Sequence, residues 1–172
     1  MASLNLRVAG TAPRGRWTAP VVCVLAVAAT GTLGALASID AKDFYAMLAK
    51  PGWAPPPSVF GPVWTALYVL IAIAGWLAWR ARAPASDTRL ALGLYFGQLV
   101  LNALWSWIFF AWHQGALALV EVCVLWLAVL ATLTQFWRLR PIAGVLLVPY
   151  FAWVSFATAL TAAVWRLNPG LL

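Results

Sequence analysis

Charge is what this chain has least of. Only 9% of its 172 residues are charged, and only four are acidic: Asp40, Asp43, Asp87 and Glu121. There is one histidine, His113, and there are two cysteines, Cys23 and Cys123. Each scarcity excludes something. A soluble domain carries about 25% charged residues, so water cannot cover this surface. Disorder needs low hydrophobicity and high charge, whereas 65% of this chain is hydrophobic. One histidine with two distant cysteines cannot assemble a His/Cys metal cluster. Both cysteines fall inside apolar runs and read as small buried hydrophobes, not as a disulfide. A single acid inside an apolar run leaves no partner for paired-carboxylate chemistry.

What is present is apolar length. Five runs can be read, at about 20–39, 58–79, 90–112, 116–137 and 142–165. Each is long enough for a helix to cross roughly 30 Å of hydrocarbon. None alternates as barrel strands do. Backbone groups in lipid must be satisfied within the segment, so the fold class is all-α: an integral membrane bundle of five transmembrane helices spanning 20–168. Residues 1–19 form a basic extension and 169–172 a short tail. The first run also has signal-peptide features, with Arg7, Arg14 and Arg16 ahead of it and Ala35-Leu36-Ala37 near its end. Its apolar length, about 19 residues, exceeds the usual signal-peptide core, which favours a retained span.

The net charge of +7 is distributed, not clustered as for nucleic acid. Arg7, Arg14, Arg16, Arg80, Arg82, Arg89, Arg138 and Arg140 fall on one side of the five spans, and Lys42, Lys50 and Arg166 on the other. Basic residues mark the cytoplasmic side. The N-terminus is therefore expected inside and the 40–57 loop outside, in a bacterial cell envelope membrane.

That loop is the longest connection, and long loops tend to be functional. Pro51, Pro55, Pro56, Pro57 and Pro62 fix φ and remove donors, so it is expected to form a rigid, mostly non-helical strap. Spacing alone leaves two readings open: a stiff spacer with Trp53 as interface anchor, or a lid over a cavity. Pro62 suits the first turn of the second span.

Polar groups placed by depth converge under this strap. Trp64 and Tyr68 lie in the outer half of the second span, Asn102, Trp105 and Ser106 in that of the third. Glu121 lies a turn and a half inside the fourth, and Tyr150 and Trp153 near the middle of the fifth. Intramembrane polar groups usually face the bundle interior or a cavity, and aromatic walls with few donors make a typical pocket. Glu121 has two readings, a proton or cation site and a hydrogen-bonded protonated acid. Trp107 and Trp112 read as an interface belt. Gly93 and Gly97 form a GxxxG in the third span, a candidate dimer seam. Packing within one copy is the other reading, and Gly31 with Ala35 offers an alternative seam.

Twelve tryptophans exceed what interface anchoring needs. Trp53-Ala54-Pro55-Pro56 with Phe60 and Trp64, then Asn102-Ala103-Leu104-Trp105, then Val148-Pro149-Tyr150-Phe151-Ala152-Trp153, resemble the TspO/MBR family of tryptophan-rich sensory and translocator proteins. The resemblance covers about residues 31–168. It implies a five-helix membrane protein, often a homodimer, with a pocket beneath the first loop for tetrapyrroles such as haem and protoporphyrin IX, as ligand and not as an obligatory cofactor. It carries pocket roles to Trp53, Pro55, Trp64, Asn102, Trp105 and Trp153. The cholesterol motif of mitochondrial members needs a Tyr before a basic residue late in the fifth helix. Leu160 to Arg166 contains none, which argues against cholesterol. The expected function is a tetrapyrrole receptor or sensor acting on porphyrin metabolism or stress responses. Porphyrin transport and oxidative or light-dependent porphyrin degradation are the alternatives.

Overall fold

The computed structural model describes residues 17–81 and 83–172. Residues 1–16 of the basic extension, with Arg7, Arg14 and Arg16, and also Arg82, lie outside the described residues, while Thr18 and Ala19, read as its end, already belong to α1. The helices are α1 (Thr18–Ala37), α2 (Ala41–Met47), α3 (Phe60–Trp79), α4 (Ala85–Ser106), α5 (Gly115–Leu139) and α6 (Pro141–Leu167). All except α2 are long and apolar enough to cross a membrane, with a 3-10 turn, Pro57–Val59, leading into α3.

Proline placement explains several boundaries. Pro57 and Pro141 open helical segments, where the missing N–H is one that no intrahelical acceptor awaits. Pro62 falls in the first turn of α3, as expected. Pro149 is the exception, inside α6. Membrane helices tolerate this because neighbouring groups re-satisfy the freed carbonyl. Two boundaries depart from expectation. Residues 85–89, read as part of a polar connection, are the first turns of α4. Asp87 there complements the N-terminal end of the helix dipole, so the helix extends beyond the apolar run. The first part of the 40–57 loop also folds, as α2.

The spanning helices close a ring in the order α1, α3, α6, α5, α4 and back to α1. Its outer surface stays apolar, with Val21, Leu25, Val100, Val120, Val124 and Val145 exposed, the surface that lipid covers. Cys123 is exposed on that surface, contrary to the expectation that both cysteines are buried. A polarizable thiol is apolar enough to face lipid. Cys23 is buried as expected.

Inside the ring are two apolar clusters. The larger includes Ile71, Tyr95, Val129, Phe136, Leu147 and Tyr150. The other joins α2 to the neighbouring ends of the spanning helices through Phe44, Tyr45, Leu48, Ile108, Phe109, Ala118, Leu160 and Val164. Close crossings use glycine. A Cβ on Gly144 would lie 2.8 Å from Trp137 Cα, and one on Gly75 would lie 2.6 Å from the Tyr95 ring. Gly93 and Gly97 have nothing within 4 Å of a built Cβ, so this GxxxG does not pack within the described chain. Gly31 does: its Cβ would stand 3.1 Å from the Tyr68 ring, so it turns into the bundle.

Candidate functional site

The chain between α1 and α3 roofs a cavity of about 390 Å³. Small residues of α1 (Gly31, Gly34, Ala35) with Ser38 just past its end make one wall, and a larger side chain at Gly31 would meet Tyr68. The rings of Phe60, Trp64 and Tyr68 come from α3, and those of Trp153 and Phe156 from α6. Ala41, Lys42 and Tyr45 of α2 supply the roof with Pro57. The connection thus both spaces the helices and covers a cavity.

The far end of α4 supplies the rest of the wall through local irregularity. The helix widens into a π segment, Trp107–Ala111, where Trp112 N donates to Trp107 O at 2.9 Å. Such bulges recur at functional sites. Phe109 and Phe110 of this segment both reach the wall beside Trp105, whose ring stacks on Phe109 at 5.1 Å with an 11° interplanar angle. The chain then reverses at His113, whose φ of 54° is the left-handed conformation that a non-glycine residue adopts mainly in turns. Its ring stacks on Phe44 at 4.1 Å, which anchors α2 to this corner.

The ring contacts form separate sets around the cavity. Trp64 lies 5.3 Å from Tyr68 and edge-on to Tyr150 at 6.2 Å. Trp153 lies 5.9 Å from Phe60 and 5.4 Å from Phe156. Offset and edge-on pairs of this kind add about 0.5–1.5 kcal/mol beyond burial.

Behind the rings runs a buried polar chain. Tyr68 Oη donates to Asn102 Oδ1 at 3.1 Å, Asn102 Nδ2 donates to Tyr150 Oη at 3.2 Å, and Tyr150 Oη donates to Gln98 Oε1 at 2.8 Å. Trp105 lines the cavity, but its Nε1 is itself buried and has no hydrogen-bond partner among the described residues. Among the described residues that line the cavity, Lys42 is the one cation. Burial raises the Tyr45 phenol above its ordinary pKa, so its hydroxyl stays a donor, to Pro55 O at 3.3 Å.

The predicted site residues thus separate. Trp64, Tyr68, Trp105 and Trp153 line the cavity. Asn102 and Tyr150 stand behind its wall, occupied by each other and by Tyr68 and Gln98. Glu121 is buried in α5, outside the lining, with neither carboxyl oxygen hydrogen-bonded. Trp53 is 52% exposed and packs edge-on against Phe156 at 5.7 Å. Pro55 borders a shallow groove on the loop with Lys50, Pro51 and Ala54. Sequence reasoning missed Lys42, Tyr45, Phe109, Phe110 and Phe156. A period of 3.6 could place Phe156 near Trp153, but the π segment that turns Phe109 and Phe110 inward has no sequence signal.

The family profile described as TspO/MBR matches residues 22–166. Protein CrtK of Rhodobacter capsulatus is 41% identical over 152 residues, 87% of this chain and 92% of its own length. The tryptophan-rich sensory protein of Cereibacter sphaeroides is also 41% identical over 152 residues, covering 88% and 92%. The human translocator protein is 41% identical over 128 residues, 74% of this chain and 76% of its own. With a five-span bundle and a tryptophan-lined cavity under its first loop, this chain belongs to the TspO/MBR family.

Proposed function

We infer that this membrane protein is a receptor for tetrapyrroles, taking a porphyrin such as protoporphyrin IX or haem into the cavity beneath the strap and signalling its presence to porphyrin metabolism or a stress response. The observation that carries this is the cavity's chemistry. Trp64, Trp105 and Trp153, with Phe60, Phe109 and Phe156, offer broad aromatic faces, and Lys42 adds a cation. A porphyrin has the complementary parts, a wide aromatic plane and carboxylate side groups. The volume of about 390 Å³ falls within the range of small-molecule sites, about 300–1,000 Å³.

Retention fits the architecture better than passage. The other half of the ring is filled by Ile71, Tyr95, Leu147 and Tyr150, each no more than 1% exposed. In this reading the strap faces away from the cytoplasm, and two copies pair through the open Gly93/Gly97 face.

The test is titration of purified protein with protoporphyrin IX, following Trp fluorescence and then the pigment's absorption. Saturable quenching without progressive loss of the pigment's absorption is expected. Lys42→Glu should weaken binding of the dicarboxylate more than that of its dimethyl ester. Loss of the pigment's absorption bands on incubation would favour degradation, and flux into vesicles would favour transport. No quenching at all would remove the tetrapyrrole reading.

A further inference from the structure

Something must hold the strap over the cavity, and several of its polar contacts hold only itself. Lys50 Nζ donates to the carbonyls of Tyr45 at 2.6 Å and Leu48 at 2.7 Å. Tyr45 donates to Pro55. These bonds stiffen the segment without attaching it to a spanning helix. Phe44, Tyr45 and Leu48 attach it by apolar packing, which is non-directional.

The directional attachment comes from the opposite end of the sequence. Asn168 follows the last residue of α6 and is buried. Its Oδ1 accepts from Ala49 N at 2.8 Å, and its Nδ2 donates to Ala49 O at 2.9 Å. Nδ2 also donates to Val164 O at 2.7 Å, in the last turn of α6. A side-chain amide has one acceptor oxygen and two N–H donors, and here all are engaged. It grips both polar groups of one strap residue, 119 positions away, as a neighbouring strand would. No other short side chain can do this. Aspartate offers no donors, and serine cannot supply two.

The geometry points to Asn168 as the latch of the strap: a positioning residue that pins Ala49 to the end of α6 and so sets how fast the cavity opens. The latch itself rests only on these hydrogen bonds. Its effect on ligand exchange rests also on the tetrapyrrole reading.

The experiment uses the full chain in detergent, as wild type, Asn168→Asp and Asn168→Ala. Backbone hydrogen exchange is followed without ligand, and protoporphyrin IX binding is followed by stopped-flow Trp quenching. In Asn168→Ala, amides of residues 44–53 should exchange at least about tenfold faster while those of α5 and the middle of α6 keep their protection. Association and dissociation should both accelerate, by about fivefold or more, with the equilibrium constant moving less than either rate. Asn168→Asp keeps an acceptor for Ala49 N–H but loses both donations and sets an oxygen against the Ala49 and Val164 carbonyls, so its strap should also exchange faster than in the wild type. Unchanged exchange at 44–53 overturns the latch. So does faster exchange spread equally over α5 and α6, which would make Asn168 a helix cap only. If Asn168→Ala does not fold, Asn168→Asp decides alone, and wild-type exchange in its strap overturns the proposal. If the wild type binds no protoporphyrin, the tetrapyrrole reading falls while the exchange data still decide the latch.

Discussion

Trp64 and Trp153 do two jobs, and truncation exposes both. Each presents a ring to the cavity, and each braces other rings, Tyr68 and Tyr150 for Trp64, Phe60 and Phe156 for Trp153. Trp64→Ala or Trp153→Ala is expected to weaken protoporphyrin binding at least tenfold, about 1.4 kcal/mol. Trp107→Ala, outside the lining, should change it far less; equal affinities for all three variants would return the tryptophans to interface anchoring. Asn102 belongs to a different experiment. Its amide links the hydroxyls of Tyr68 and Tyr150, so Asn102→Ala leaves a buried donor without an acceptor and takes a donor from the other hydroxyl. A loss of about 1–3 kcal/mol of stability is expected, read as a lower melting temperature in detergent. Melting at the wild-type temperature would show the polar chain to be dispensable.

Helices meet through small residues here, and the glycines divide into two kinds. Gly144 sits where α6 leaves α5, with Trp137 backbone 2.8 Å from where a methyl would go. Backbone cannot rotate away as a side-chain tip can, so Gly144→Ala should separate the two helices and cost about 1–3 kcal/mol. Unaltered thermal stability would count against that crossing. Gly93 and Gly97 are the opposite case. Both are exposed, with open space around a built Cβ, so leucine at both positions should leave the monomer folded. If this face is the dimer seam, the double variant pushes two backbones apart and moves the population toward monomer in detergent. An unchanged ratio would place the seam elsewhere.

For the whole molecule the decisive quantity is the asymmetry of basic residues, eight against three. It predicts that Ser58→Cys is labelled by an impermeant thiol reagent in intact cells and Ser86→Cys is not, with both native cysteines removed. Their removal matters because Cys123 is exposed on the outer surface of the bundle. The reverse labelling pattern would invert the orientation and turn the strap toward the cytoplasm.

The five spans were legible because lipid leaves a helix few choices: a long apolar run with no alternation must satisfy its own backbone. Pro62 in the first turn of α3 was legible for a local reason too, because its missing N–H costs little there. The convergence of Trp64, Tyr68, Trp105 and Trp153 was also readable, because depth along a helix follows from residue count alone. Which side chain faces the cavity and which stands behind its wall was decided by tertiary structure. Asn102 and Tyr150 share the depth of the aromatic wall, but the hydrogen bond between them, with those to Tyr68 and Gln98, holds them behind it. The π segment, the packing of Gly31 against Tyr68 and the grip of Asn168 on Ala49 depend on neighbours far away in sequence. No local pattern encodes them, because each exists only once the ring of helices has closed.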